Sequence, residues 1–161
     1  MATSFSNSKG IGLVEIIIVV AIIGIALASL AGVSNLALRL TTHLKKNTVA
    51  LNLASESIEA ARAVKDENWS TLAALVIDAP YHPIKSGSPL KWALAAGSET
   101  INDFSRSLTF SRVYRDSNDD IIPSGGIEDG NTRKVITTVS WNESGHNYQV
   151  AITSYLANWK P

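Results

Sequence analysis

The residue best placed to do chemistry in this sequence is a single carboxylate. Glu15 stands at the mouth of an uncharged run, residues 16–33, IIIVVAIIGIALASLAGV. An ionised carboxylate there loses hydration unless it meets a cation or reaches an aqueous interface. Two readings follow from the residues alone: a passive interfacial Glu whose side chain snorkels to the headgroups, or a charge reserved for a specific partner. Other candidates are weaker. Asp116, Asn118 and Asp120 occupy positions one, three and five of a loop, as in a calcium-binding hand, with Glu128 and Asp129 as further oxygen donors. Ile121 stands where such a loop requires Gly, and Ile127 where it requires Glu. An exposed acidic turn is expected, with calcium as the alternative. His43, His82 and His146 are scattered, form no HxxxH or HExxH pair, and no Gly-rich phosphate loop precedes a helix. Neither an enzyme nor a cofactor is expected.

The elements that carry these residues follow from composition and periodicity. At 161 residues there is room for one domain and an appendage. Fourteen Lys and Arg balance fourteen Asp and Glu, so no bulk charge draws the chain to nucleic acid, and direct nucleic-acid binding is not expected. The absence of cysteine removes disulfides and thiolate chemistry. The run 16–33 is long enough to cross a bilayer as a helix. Ala26, Ala28 and Ala31 imitate a signal-peptidase site, but the apolar run exceeds the usual 7–15 residue signal core, so a retained anchor is the expectation.

The segment KGIGLVEIIIVVAIIGI, residues 9–25, resembles the class III leader of type IV prepilins: a polar leader ending in Gly, then an apolar helix with Glu as its fifth residue. The resemblance implies cleavage by a prepilin peptidase between Gly10 and Ile11 and N-methylation of Ile11. It also implies that Glu15 pairs with the free ammonium of Ile11 on a neighbouring subunit, so that processing enables assembly. Ile11 stands where Phe is commonest and Gly12 where Thr is common. Gly32 stands where many pilins carry Pro, and with Gly24 it is expected to act as a soft hinge, since Gly weakens a helix by about 1 kcal/mol relative to Ala while keeping its donor.

On this resemblance the fold class is α+β, the type IV pilin fold: a leader at 1–10, a long helix at 11–67 and a β-rich head at 68–161. The helix is apolar over 11–40, as membrane span and filament core, and amphipathic over 41–67. The implied function is a pilus subunit serving adhesion, twitching motility or DNA uptake. Implied partners are further copies in a helical filament, prepilin peptidase, the assembly machinery, the membrane before assembly, and a host or partner cell surface. The subunit is expected in the cytoplasmic membrane and then on the extracellular surface. A minor pilin or a type II secretion pseudopilin is the alternative within the family, and a non-polymerising membrane-anchored binding domain is the alternative outside it. Basic residues are fewer before the span, Lys9, than after it, Arg39, Lys45 and Lys46, the reverse of the positive-inside tendency. Outward placement of the C-terminus therefore rests on the resemblance.

Further along, Leu40, Leu44, Leu51, Ala54, Ile58 and Ala61 are expected to form one apolar stripe opposite Lys45, Lys46, Asn52, Glu56, Glu59 and Arg62. A helix over 11–66 would be about 84 Å long at 1.5 Å per residue, too long for a domain this small to cover. From Trp69 turn chemistry rises: DAPYHPIKSGSPL holds three prolines, and DSNDDIIPSGGIEDGN clusters Gly, Asp and Asn. SLTFSRVY, 107–114, is expected as a strand with Leu108, Phe110 and Val113 inward. KVITTVSW and YQVAITSYL flank NESGHN, which suits a hairpin. The whole reads as a meandering antiparallel sheet packed on the amphipathic half-helix. LASESIEAARAVKDENW and the pair SW and SYLANW are also similar to pilin-type proteins of genome-reduced bacteria. Trp69, Trp92, Trp141 and Trp159 are expected to pack in the core or at its rim, with adhesive contact as the alternative.

Overall fold

The computed structural model describes residues 12–159, so Gly10 and Ile11 lie outside the described residues. The chain divides into two compact units, Met1–Lys45 and Lys46–Pro161. One helix, α1, runs Leu13–Glu67 and supplies secondary structure to both. No proline interrupts it, since the first stands at position 80.

In the second unit, α1 is followed by a short helix, α2, Trp69–Ala73. Asn68 separates the two. Its backbone is extended, and its side-chain oxygen accepts from the Ser70 backbone N–H at 2.9 Å, capping α2. Seven strands follow: β1 Pro80–Ser86, β2 Lys91–Ala96, β3 Glu99–Ile101, β4 Phe104–Arg115, β5 Ile121–Ile122, β6 Ile127–Glu143 and β7 His146–Ala157. They form one sheet in the order β2-β1-β4-β6-β7, with β3 and β5 also pairing with β4, and every pairing is antiparallel. The chain is thus α+β, with the amphipathic part of the long helix packed on an antiparallel sheet.

The sheet is built around β4. Phe104, Arg106, Leu108 and Phe110 alternate inward, and strict alternation would turn Val113 out. A register shift between Arg112 and Tyr114 against β6 changes the parity and buries Val113 as well. The expected inward set is therefore met, through a bulge. The NESGHN segment forms the expected hairpin: Glu143 pairs with His146, leaving Ser144 and Gly145 as a two-residue turn with φ 51° and 82°. Positive φ at both central positions is the geometry that matches strand twist, and Gly145 adopts it without a Cβ penalty.

Three expectations are corrected. The buried line on α1 is Ala50, Ala54, Ile58, Ala61 and Val64, with Ser57 and Ala60 beside it, whereas Leu51, Leu40 and Leu44 are exposed. The sheet side of the helix is the alanine side, because small side chains let the backbone approach the large rings of Phe104 and Trp141, against which Ala50 and Ala54 pack. The proline-rich segment after Trp69 holds β1 rather than only turns. Beyond Tyr81 that strand pairs with β2 alone, an edge position at which Pro83 is tolerated. Trp141 is buried and Trp69 and Trp92 are half-buried, but Trp159 is 68% exposed, with the Lys65 ammonium 6.0 Å from its ring centre.

Two apolar clusters make the core. Ile58 and Ala61 meet Leu72, Tyr81, Leu108, Phe110, Val135 and Leu156 in one, and Ala50 and Ala54 meet Phe104, Val139 and Trp141 in the other. Between them stands Arg106, 4% exposed. Its guanidinium donates to Glu99 Oε1 from Nε at 2.8 Å and also from Nη2, while Nη1 donates to Glu56 Oε2 at 3.1 Å and to the Leu53 carbonyl at 3.3 Å. Glu56, expected on the face opposite the apolar stripe, thus ties α1 to the sheet by pairing with a charge that the core alone could not accept.

Candidate functional site

The part of α1 in the first unit is dominated by apolar residues, which prefer other surroundings to water. Every residue from 12 to 42 is exposed, including Leu13, Ile16, Ile17, Ile22, Ile25 and Leu30. Apolar side chains occur all round this part of α1 rather than along one stripe, the pattern of a helix surrounded by lipid or by other protein. An 18-residue window reaches a mean hydropathy of 2.9 with none of it buried, so by length and composition α1 can cross a membrane. Three of its hydroxyls are suited to such surroundings. Ser29 donates to the Ile25 carbonyl at 2.8 Å, Thr41 to Ala37 at 2.8 Å and Thr42 to Leu38 at 3.0 Å, so each is satisfied within the helix.

Glu15 lies in the first turn of α1, where its backbone N–H reaches the Gly12 carbonyl at 2.9 Å. A carboxylate in the first turn is favoured by the positive end of the helix dipole. Glu15 itself is exposed, and it is the one charged residue among positions 12–38. Gly24 and Gly32 are helical, and a Cβ built at either would meet nothing within 4 Å. Packing within this chain therefore does not call for glycine at those positions. Arg39 and Lys45 are exposed at the far end of the apolar stretch.

The acidic loop between β4 and β5 is organised by its own first residue. Asp116 Oδ1 accepts from the backbone N–H of Asn118 at 2.8 Å and of Asp120 at 3.0 Å, the Asp119 N–H donates to the Asp116 carbonyl, and Asp119 takes a left-handed φ of 68°. The carboxylate of Asp116 is thus engaged by backbone. Arg115 Nε donates to Asp129 Oδ2 at 2.8 Å, and Thr132 Oγ1 donates to the same oxygen at 2.6 Å. Glu128 accepts from Arg112 at 2.9 Å. The Thr132 and Arg115 hydrogen bonds hold the Asp129 carboxyl below its ordinary pKa, and the bond to Asp129 raises that of Arg115. The loop is an arginine-braced turn, and among the described residues no group of three or more His, Cys, Asp or Glu could hold a metal ion.

The histidines sit on separate elements: His43 on α1, His82 on β1, with Nδ1 3.0 Å from the Gly97 carbonyl, and His146 at the start of β7. Sequence reading missed the Arg106, Glu99 and Glu56 cluster. Its signal was an Arg at an inward position of an otherwise apolar alternation, FSRSLTF. No protein-family model, curated protein or solved structure matches this chain.

Proposed function

We propose that this chain is a type IV pilin or pilin-like subunit, stored in the cytoplasmic membrane as a precursor and polymerised into a surface filament through the apolar half of α1. The observation that carries the reading is a helix exposed throughout residues 12–42 and apolar on all sides over 16–33, with Glu15 as the lone charge near its start. Such a surface needs lipid or further copies of itself around it, and a subunit that passes from one to the other uses both. The leader ending in Gly10, the α+β architecture and the helix-on-sheet packing agree with a pilin fold.

In this reading the Ile11 ammonium, created by cleavage after Gly10, is the partner of Glu15 in an adjacent subunit. Before cleavage Ile11 carries an amide and no charge, so only processed subunits compensate the carboxylate on leaving lipid. The filament would then serve adhesion, twitching motility or DNA uptake.

Intact mass and N-terminal sequencing of the membrane-derived protein test the first step. A mature chain beginning with N-methylated Ile11 is expected, and an uncut, monomeric chain beginning at Met1 would leave a membrane-anchored binding domain in its place. Glu15→Ala should insert and be cleaved normally while yielding fewer sheared filaments. Undiminished filament yield would remove the pairing role.

A further inference from the structure

Two Asn-x-Ser/Thr triplets with x other than proline stand in this chain, Asn68-Trp69-Ser70 and Asn142-Glu143-Ser144. Such a triplet is the acceptor signal for N-linked glycosylation, in which the side-chain amide nitrogen of the asparagine takes a sugar. The hydroxyl residue two places on helps to present that amide. The structure separates the two triplets, because their amide nitrogens are differently engaged.

Asn142 lies on β6. Its Nδ2 donates to Asn147 Oδ1 at 2.9 Å, and its Oδ1 accepts from the Gly145 N–H at 3.2 Å. The nitrogen that would take a sugar is already used to hold the β6–β7 hairpin. Asn68 stands instead at the break between α1 and α2, outside both helices, with an extended backbone of φ −157° and ψ 110°. Asn68 and Ser70 are both exposed, while Trp69 between them is half-buried and packs against the cluster that includes Ile58, Leu72 and Tyr81. Asn68 Oδ1 accepts from the Ser70 backbone N–H at 2.9 Å and from Ser70 Oγ at 2.8 Å. The hydrogen bonds of this side chain thus fall on its oxygen, and Nδ2 has no partner among the described residues. Two residues earlier stands Asp66, also exposed, so the acceptor reads Asp-Glu-Asn-Trp-Ser. A carboxylate at that place gives a transferase a charge to grip with a guanidinium, which Ser140, two residues before Asn142, does not offer. Asn68 also lines an open depression of about 430 Å³ with Thr71, Ser86 and Trp92, so there is space beside it for a sugar ring.

We propose that Asn68 is an N-glycosylation site and that Asn142 is not. The donor is an oligosaccharide carried on a membrane lipid through a diphosphate. Nδ2 attacks the anomeric carbon C1, an N–C1 bond forms, and the C1–O bond to the diphosphate breaks. The lipid diphosphate leaves with the bonding electrons, and Nδ2 gives up one proton to a base of the transferase. The inference rests on the outward placement of the second unit in the filament reading, since such transfer takes place on the outer side of the membrane.

The test is peptide mass spectrometry of the full chain isolated from its own membranes. The tryptic peptide 66–85 holds Asn68 as its one asparagine, so an increment there has a single amide to sit on. Discrete hexose or N-acetylhexosamine increments on this peptide, stable to the mild alkali that strips sugars from Ser70 or Thr71 hydroxyls, are expected, with Asn142 unmodified. Asn68→Asp keeps an oxygen for the Ser70 hydrogen bonds while removing the nitrogen, so the increment should vanish without a change in thermal melting. Ser70→Ala should abolish the increment and Ser70→Thr should retain it, whereas Asp66→Asn should reduce occupancy. An unmodified peptide, an increment lost to alkali, or an increment retained in Asn68→Asp would overturn the assignment. The N-terminus is read in the same sample: an unmodified peptide from a chain beginning with methylated Ile11 sinks the site and leaves the filament reading standing. A glycosylated Asn68 in a chain uncut at Met1 does the reverse.

Discussion

Arg106 offers the sharpest test of how the head is held together, because its carboxylate partners differ in what each leaves behind when removed. Glu99 takes two of the guanidinium's hydrogen bonds and is 24% exposed, whereas Glu56 takes one, at 3.1 Å, and is 45% exposed. Glu99→Leu leaves a charge that is 4% exposed with a single carboxylate and the Leu53 carbonyl. Breaking a buried pair by deleting one partner costs roughly 3–5 kcal/mol. The surviving bond to Glu56 reduces this to about 2–3 kcal/mol, equivalent to a fall in melting temperature on the order of 10 °C. Glu56→Leu should cost under about 1 kcal/mol, since that carboxylate is already half in water. Arg106→Met removes the buried charge itself, and both glutamates can then turn toward solvent. It should cost about 1–2 kcal/mol, less than Glu99→Leu, and the double variant Arg106→Met with Glu99→Leu should be more stable than Glu99→Leu alone. Thermal and urea unfolding of the full chain in micelles, followed by tryptophan fluorescence, measures all four variants. If Arg106→Met proves the most damaging and the double variant is worse still, the guanidinium is acting through packing, and the argument from uncompensated charge fails.

Three other substitutions probe separate parts of the same unit. The Asp129 carboxyl is held below its ordinary value of 3.8, so the stability it contributes is present above that pH and is lost as pH falls through the lower folded value. Asp129→Asn should flatten the acid limb of the stability curve, and an unchanged limb would show that the Thr132 and Arg115 bonds do not couple to folding. At Gly126 an added Cβ would stand 2.1 Å from the Arg115 carbonyl oxygen, whereas at Gly130 it would meet nothing within 4 Å. Gly126→Ala should therefore destabilise by more than about 2 kcal/mol through backbone displacement, with Gly130→Ala much closer to the parent in the same melt.

Some features were legible in the residues because they depend on local periodicity. The apolar run, the absence of early proline and the position of Glu15 make α1 and its exposed half readable directly. The β6–β7 hairpin was equally open to reading, since Asn, Ser and Gly between two alternating segments specify a turn without reference to anything distant. Val113 stood at the limit of such reading: its inward direction was expected, but only a bulge reconciles it with Phe110.

What the order of residues could not determine was which face meets which neighbour. Leu51 appeared to belong to the stripe by hydrophobicity, but Ala50 and Ala54 took the sheet side, because closeness to the rings of Phe104 and Trp141 rewards small side chains over apolar ones. Arg106, Glu99 and Glu56 come from a strand, another strand and a helix up to 50 residues apart, and only the assembled sheet brings their charges within hydrogen-bond reach. By itself the sequence determined the helix, its solvent-averse half and its lone carboxylate, because these follow from side chains along one element. The tertiary structure decided the core line and the buried charge cluster, because each is a meeting of elements that register and packing alone bring together.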